Sequence, residues 1–317
     1  MISTKPRLHF KFVVLSAIFL AVVMSSGRMT EAQSALPMLF SSPQEAASAF
    51  YKAVKERDRK KVWEILGPTA KDWLLSGDPV ADRKAGERFV AAYEQKNQLE
   101  KRGANIAILV VGNDTYPFPF PIVLQGGRWM FDAEGGKQEL LVRRIGKNEL
   151  TTAQVLLAIV DAQYEYASEV RDGSGSQQYA RRFRSNPNKR DGLYWPTKSG
   201  EEQSPLGPLA VGAGIEGYDL SRKSREPIPY HGYYYRILFS QGGNAPDGAI
   251  KYVVKGRMIG GFAVLAYPAK YRASGIVTFI INHDGIIYEK DLGPDTKTQA
   301  ASIRSFNPDR SWNKQAK

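Results

Sequence analysis

The side chain best suited to proton transfer in this sequence is a histidine within a run of aromatic residues. His231 lies between Tyr230 and the run Tyr233–Tyr235, and an unperturbed imidazole pKa of about 6.5 suits a general base. A base needs a carboxylate to orient it, and the nearby segment offers three: Asp219, Glu216 and Glu226. No G-x-S-x-G motif supplies a nucleophile. We favour a hydrogen-bonded structural histidine, with a hydrolase that uses His231 as general base as the alternative.

Metal and cofactor chemistry has little support in the composition. The chain has three His and no Cys, which excludes Cys-ligated zinc, iron–sulfur sites and thiol nucleophiles. His283 fits a turn residue. The segments Asn282–Gly285 and Asn307–Asp309 offer oxygen ligands, but neither approaches the full series of a calcium loop. No glycine-rich segment has the order of a nucleotide-binding loop. We therefore predict no metal site and no cofactor.

Tyrosines are concentrated in the second half of the chain, where 13 of the 16 Tyr follow residue 150. Aromatic faces bind sugar rings, peptides or bases while their polar ends stay hydrated. A surface platform is therefore one interpretation of four residues in a predicted loop: Tyr194, Trp195, Tyr218 and Tyr230. The alternative is that the Tyr233–Tyr235 run alternates between the core and the opposite face of a strand, since strands are rich in Tyr.

Basic residues cluster in the same predicted loop. They are Arg181, Arg182, Arg184, Lys189 and Arg190. Such a cluster attracts anionic glycans or phospholipid head groups, although a solvated loop explains it equally simply. A second basic pair, Arg143-Arg144, stands near Glu139 and Glu149, and we expect a salt-bridge network there at a domain junction.

The N-terminus has the organisation of a secretory signal peptide. Basic residues precede the apolar run Phe12–Val23, and small residues follow it. The run is shorter than the roughly 20 residues of a membrane span, so an uncleaved anchor is the lesser alternative. We predict a signal peptide over residues 1–32, with cleavage within 32–36. Cleavage after Ala32 removes four basic residues and one acidic residue and lowers the net charge from +12 to +9.

The predicted signal peptide indicates where the protein is located and which partners it can meet. We expect a periplasmic or secreted protein with no transmembrane span after leader removal. The absence of Cys leaves no lipid-anchor site. Export from the cytoplasm argues against nucleic acid as the partner, despite the positive charge. The expected partner is an envelope protein or a glycan.

The remaining pattern predicts an α+β protein with two domains. In the first, residues 42–150, Ser42-Pro43-Gln44-Glu45 is a capping box, and Asp58 and Gly67 bound a second helix. A third helix follows over about Asp82–Lys96. Three strand-like segments come next: Asn105–Val111, Pro119–Leu124 and Arg128–Asp132. Helices followed by a curved antiparallel sheet resemble a nuclear transport factor 2-like cone.

The second predicted domain, residues 151–317, begins with a Thr-x-x-Gln capping box at Thr151–Gln154. A long helix should run to about Arg171, after a short connecting helix over 133–150. A long irregular loop at 172–230 follows. An antiparallel sheet should then end in a hairpin turn at His283–Gly285. One long helix packed on an antiparallel meander resembles a pilin head.

Many separate motifs of the mature chain, in order, resemble one family. They are Arg143–Leu150 (RRIGKNEL), Asp161–Ala167 (DAQYEYA), Asp191–Pro196 (DGLYWP), Ser204–Leu209 (SPLGPL), Tyr230–Leu238 (YHGYYYRIL), Gly261–Ala263, Ser274–Phe279 and Asp291–Pro294. The chain resembles the exported bacterial family known as domain of unknown function 2950. The resemblance implies an exported bacterial protein and supplies no catalytic residues.

These observations favour an exported cell-envelope protein that acts as a non-catalytic binding or assembly module. Its expected surface is the loop with the aromatic and basic residues. The alternative is the hydrolase with His231. A weaker third idea is a ligand-binding cone in the N-terminal half, lined by Trp63, Trp73, Phe89 and Trp129, which a filled interior would remove.

Overall fold

A computed structural model describes residues 37–171, 173, 175–198, 200–219 and 227–315. These residues belong to one compact unit. The predicted signal peptide and Glu226 lie outside the described residues. The unit is α+β, as predicted, and its sheets are antiparallel throughout the named strands.

The N-terminal half places helices against a small antiparallel sheet of order β1-β2-β4-β5, with β3 paired to β2. Its elements are α1 (Pro43–Lys55), α2 (Arg59–Leu66), α3 (Ala70–Leu74), α4 (Pro79–Gln95), β1 (Asn97–Lys101), β2 (Ile106–Val111), β3 (Tyr116–Pro117), β4 (Ile122–Gln125) and β5 (Arg128–Phe131).

Helix caps account for the starts of the first two helices. The Ser42 hydroxyl accepts a hydrogen bond from the Glu45 amide (3.1 Å), and Asp58 accepts one from the Lys61 amide (2.9 Å). Both predicted caps are confirmed, and Gly67 ends α2 with a positive φ of 90°. The Glu45 carboxylate binds the backbone of Ser41 (2.9 Å) and not that of Ser42, so the capping box is shifted by one residue.

The longest element differs from the expected pair of helices. A single helix, α5 (Ala133–Ala167), runs without a break through the predicted cap at residue 151. There the Thr151 hydroxyl donates to the Lys147 carbonyl (2.9 Å), and Thr152 is buried, accepting a hydrogen bond from the Tyr235 hydroxyl (3.4 Å). Both hydroxyls therefore have partners that a helix interior provides, and no cap is needed.

The C-terminal half packs the second part of α5 against a five-stranded meander of order β14-β13-β12-β11-β6. In the described part of the region predicted as a continuous loop, one helix, α6, interrupts it. The elements are α6 (Gly207–Glu216), β6 (Tyr233–Leu238), β7 (Ser240–Gln241), β8 (Ile250–Lys251), β9 (Val253–Val254), β10 (Arg257–Met258), β11 (Ala263–Pro268), β12 (Val277–Asn282), β13 (Ile287–Asp291), α7 (Thr296–Ser302) and β14 (Asn313–Lys314).

Two hydrophobic cores follow each other along the chain. The first is filled by aromatic rings; Phe50 lies 5.2–5.3 Å from Phe89, Phe118 and Phe131. This packing removes the idea of a ligand-binding cone. The second core joins the face of α5 around Leu156 to the meander. The domain division at residue 150 and the two fold resemblances, to a nuclear transport factor 2-like cone and to a pilin head, stay predictions.

Polar contacts connect the N-terminal helices to the C-terminal sheet through α5, but not as the expected salt-bridge network. Arg143 pairs with Glu139 (2.5 Å) within the helix. Arg144 donates instead to backbone carbonyls, those of Leu74 (2.6 Å), Trp73 (3.1 Å) and Ala273 (3.3 Å). The Glu149 carboxylate accepts from the amides of Ile276 (2.9 Å) and Val277 (3.2 Å).

Candidate functional site

Helix α6, the start of helix α4 and the segment that leads into strand β6 meet around His231. Helix α6 ends at Glu216 and is capped by Gly217 in the left-handed conformation (φ 91°). Helix α4 presents its N-terminal cap, Asp78, from the other half of the chain. His231 itself has a positive φ of 50°, which a non-glycine residue rarely adopts. Such a conformation persists only where surrounding contacts maintain it.

The imidazole of His231 is mostly buried and has a carboxylate partner. Its Nε2 atom lies 3.1 Å from Oε2 of Glu216, and its ring lies 4.2 Å from the ring of Tyr230. Burial lowers the pKa of His231 below its ordinary value, while the negative charges of Glu216 and Asp78 oppose that shift. A neutral imidazole is therefore favoured at neutral pH, and a neutral imidazole can accept a proton.

Asp78 holds this region together from a fully buried position. Its Oδ1 atom accepts from the amides of Val80 (3.1 Å) and Ala81 (3.0 Å) at the start of α4. Its Oδ2 atom accepts from the Tyr218 hydroxyl (2.8 Å) and the Gly232 amide (2.9 Å). One carboxylate thus joins α4 to residues on both sides of segment 220–226.

The Tyr218 hydroxyl takes part in the same network. It donates to Asp78 and accepts from the His231 amide (3.2 Å). Burial, and then the charge of Asp78, raises the pKa of Tyr218 far above its ordinary range, and burial raises the pKa of Tyr230 to about 12. A tyrosine that stays protonated and already donates its proton is a poor nucleophile. The described contacts of His231 therefore include an orienting carboxylate but no activated nucleophile.

Of the three carboxylates proposed for His231, Glu216 is the one whose pair with the imidazole the structure describes. Glu226 lies outside the described residues. Two clefts of about 350 Å³ and 250 Å³ lie elsewhere on the described surface, beside Trp312 and Tyr93. His231 lines neither of them.

The four aromatic candidates fall into two groups. Tyr218 and Tyr230 contact each other at 4.9 Å beside His231, and Tyr218 is buried. Trp195 is only 6% exposed and belongs to the second core, where Tyr194 packs against it half-buried. Two of the four side chains therefore contribute to the interior, and only Tyr194 and Tyr230 reach solvent in part.

The basic candidates are largely engaged within the protein. Arg181 donates to the Gly256 carbonyl (3.2 Å), and Arg182 lies 3.8 Å from Asp191. The backbone of Arg184 is paired with that of Tyr194. The side chains of Arg181 and Arg182 are exposed all the same, so their positive charge remains at the surface.

Sequence reasoning missed Asp78 and helix α6. The signal for Asp78 was present, because Asp followed by Pro79 is the typical start of a helix, yet the third helix was expected to begin at Asp82. Helix α6 also begins with Pro, at Pro208, and ends at Gly217. Its many glycines (Gly207, Gly212, Gly214) favoured a loop instead.

The comparisons with known proteins identify the family. A membrane-spanning helix is absent from the part of the chain that the structure describes, where every helix is too short or too polar. Neither a curated protein nor a solved structure matches the chain. A family model described as "Protein of unknown function (DUF2950)" matches residues 38–315, in agreement with the motifs noted in the sequence, and the chain belongs to this family.

Proposed function

We propose that this is an exported cell-envelope protein that binds another envelope protein and performs no catalysis itself. Export rests on the basic, apolar and small-residue order of the first 36 residues. The contact surface is the exposed face of helix α6, which lies within the segment 172–235 that carries the aromatic and basic residues. The observation that carries the proposal is the exposed apolar face of this helix.

Helix α6 turns large aliphatic side chains to solvent. Val211 is 63% exposed and Ile215 is 78% exposed, and Pro208 is exposed as well. The spacing i, i+3 and i+7 places Pro208, Val211 and Ile215 on one face of the helix. The opposite face packs inward through Ala213, which is fully buried. The helix has no charged residue before Glu216. A row of this kind is the usual anchor of a helix that enters an apolar groove.

A protein fits this surface better than a glycan. Glycans stack on open aromatic faces, but Trp195 and Tyr218 are buried. Aliphatic side chains such as Ile215 are buried effectively only by another apolar surface. The sequence next to the helix is basic, with Arg222, Lys223 and Arg225. The expected partner surface is therefore an apolar groove with an acidic rim.

The test is site-specific photocrosslinking in the intact envelope, with a photoreactive residue at position 215. We expect one envelope protein to be captured by a form of the chain whose N-terminus lies between residues 33 and 37. With the captured protein purified, Ile215→Ser should weaken binding by about tenfold or more, because burying an isoleucine contributes about 1.5–3 kcal/mol.

Val254→Ser is the matched control, because Val254 is an exposed aliphatic residue (42%) of the β9–β10 hairpin. This variant should bind like the unmodified protein. Equal affinity of the Ile215→Ser variant, or equal capture from position 254, would contradict the proposal. So would capture of a second copy of this chain alone, or binding to purified envelope glycan with no protein involved.

The alternative function is a hydrolase, favoured by the 3.1 Å pair of His231 and Glu216. In that case the purified protein hydrolyses a member of a panel of ester, amide, phosphoester and glycoside substrates. Activity should rise with pH below about 6.5, since the neutral imidazole is the base and burial lowers its pKa. His231→Gln should reduce the rate about 100-fold or more.

The paired carboxylate offers a control for this alternative. Glu216→Gln should reduce the rate, whereas Glu64→Gln, an exposed carboxylate 3.1 Å from Lys61, should leave it unchanged. Absence of turnover across the panel, or turnover that His231→Gln leaves intact, would exclude the role of His231 as a base.

A further inference from the structure

A cluster of potential metal ligands lies at the other end of the C-terminal sheet. His283 and Asp284 form the turn between β12 and β13, and Asp247 lies in the loop between β7 and β8. One ligand atom from each residue lies within 4.8 Å of the other two. His231 lies just before the start of β6. Leu238, at the other end of β6, pairs with Ala263, and Ala263 pairs with Asn282 beside the turn, so His231 lies at the opposite end of the sheet from the cluster. The cluster is thus separate from the proposed contact surface.

The imidazole of His283 has no hydrogen bond to any residue that the structure describes. Its Nδ1 atom is buried without a partner, and its Nε2 atom lies 3.9 Å from Oδ1 of Asp284, too far for a hydrogen bond. The ring contacts Tyr252 and Phe262, with ring centres 5.8 Å and 6.2 Å away. The Nε2 atom therefore faces the Asp284 carboxylate from a ring position that the contacts with Tyr252 and Phe262 fix.

The turn itself is also fixed. The Tyr164 hydroxyl of α5 donates to the His283 carbonyl (2.7 Å). The side-chain amide of Asn282 donates to Oδ2 of Asp284 (2.8 Å). In return, the backbone amide of Asp284 donates to Oδ1 of Asn282 (3.2 Å). These bonds occupy Oδ2 and leave Oδ1 directed towards His283. Bonds of this kind orient the ligands of metal sites in proteins.

The charges in the cluster are unbalanced. Asp247 and Asp284 place two carboxylates close together, and neither pairs with a Lys or Arg among the described residues. Both aspartates are exposed, so a cation can reach them from solvent, and its charge would offset the repulsion between the two carboxylates.

We propose that Asp247, His283 and Asp284 bind one divalent transition-metal ion of the Zn²⁺ class. An imidazole with two carboxylates suits Zn²⁺, Mn²⁺ or Co²⁺, whereas Ca²⁺ and Mg²⁺ prefer oxygen ligands alone. Ligands of tetrahedral zinc lie about 3.3 Å apart, so the cluster closes by roughly 1 Å on binding. Asp247 is exposed on a loop and can make that movement. The low His count therefore does not exclude a metal, because one imidazole is enough.

Titration of the metal-free full chain with Zn²⁺ in a calorimeter tests this site. We expect saturable binding of one ion, unaffected by millimolar Mg²⁺, and an absorption band typical of Co²⁺ with nitrogen and oxygen ligands when Co²⁺ replaces Zn²⁺. Asp247→Asn and His283→Gln should each weaken Zn²⁺ binding by about tenfold or more, since each removes one of three protein ligands.

Asp309→Asn is the control, because Asp309 is another exposed turn carboxylate, bound to the Ser311 amide (2.8 Å). It should bind Zn²⁺ like the unmodified chain. The proposal is overturned if the chain binds no single ion saturably, if Mg²⁺ competes on equal terms, or if Asp247→Asn retains full affinity. Asp247→Asn decides the matter even if His283→Gln disturbs the turn, because Asp247 is exposed and the substitution conserves its shape.

Discussion

Replacing Asp78 with alanine is expected to lower the free energy of unfolding by about 4 kcal/mol, the size usual for breaking a buried polar network. The loss of the helix cap accounts for about 1–2 kcal/mol, since Asp78 binds the amides of Val80 and Ala81. The Tyr218 hydroxyl and the Gly232 amide lose their shared acceptor as well. Each buried group left unpaired costs about 1–3 kcal/mol.

Urea unfolding followed by circular dichroism measures this change. Asp58→Ala is the matched control, because Asp58 caps α2 with a single bond to the Lys61 amide and is exposed. That variant should lose only about 1 kcal/mol. Equal losses for the two variants would show that Asp78 acts as a helix cap alone and that its contacts with Tyr218 and Gly232 contribute nothing.

The Asp78 network matters for both functional proposals. Its partners Tyr218 and Gly232 stand on either side of the segment 220–226 and close to the end of α6. A weakened network would release both the exposed face of α6 and the pair of His231 with Glu216. We therefore infer that the buried carboxylate positions whichever of these surfaces performs the function.

Local signals in the sequence were sufficient for much of the fold. The caps at Ser42 and Asp58 and the turn at Gly285 depend on residues within three positions of each other. The antiparallel sheet of the C-terminal half was also expected, with its hairpin turn at His283–Gly285. The polar edge strand β1 escaped notice, because it pairs on one side only and four of its five residues are exposed.

Contacts between distant residues explain what the sequence could not predict. Asp78 binds Tyr218 across 140 positions and Gly232 across 154 positions, so no local pattern contains the pair. The break predicted at Thr151 was wrong for a similar reason, because Tyr235 on β6 gives the next residue, Thr152, a partner within the core. The pair of His231 with Glu216 was within reach of the sequence, but only as one of three choices.

Substituting alanine for Gly136 should lower the free energy of unfolding by about 3 kcal/mol, although alanine is the better helix former. Gly136 lies in the first turn of α5, where the helix passes close to the segment before β4. An added Cβ would stand 2.8 Å from the Phe120 Cα atom and against the Phe120 ring and the Pro119 carbonyl. Backbone atoms cannot yield as a flexible side chain can.

The same helix provides the control for this prediction. Gly146 has open space where its Cβ would be, so Gly146→Ala should stabilise the protein by about 1 kcal/mol. Thermal and urea unfolding of the two variants separate helix propensity from steric fit, because the change in propensity is the same at both positions. If Gly136→Ala were also stabilising, the close approach of α5 to Phe120 would not be required. The first core would then tolerate a shift of the helix, because Phe120 also contacts the rings of Phe118 (5.1 Å) and Trp73 (5.7 Å).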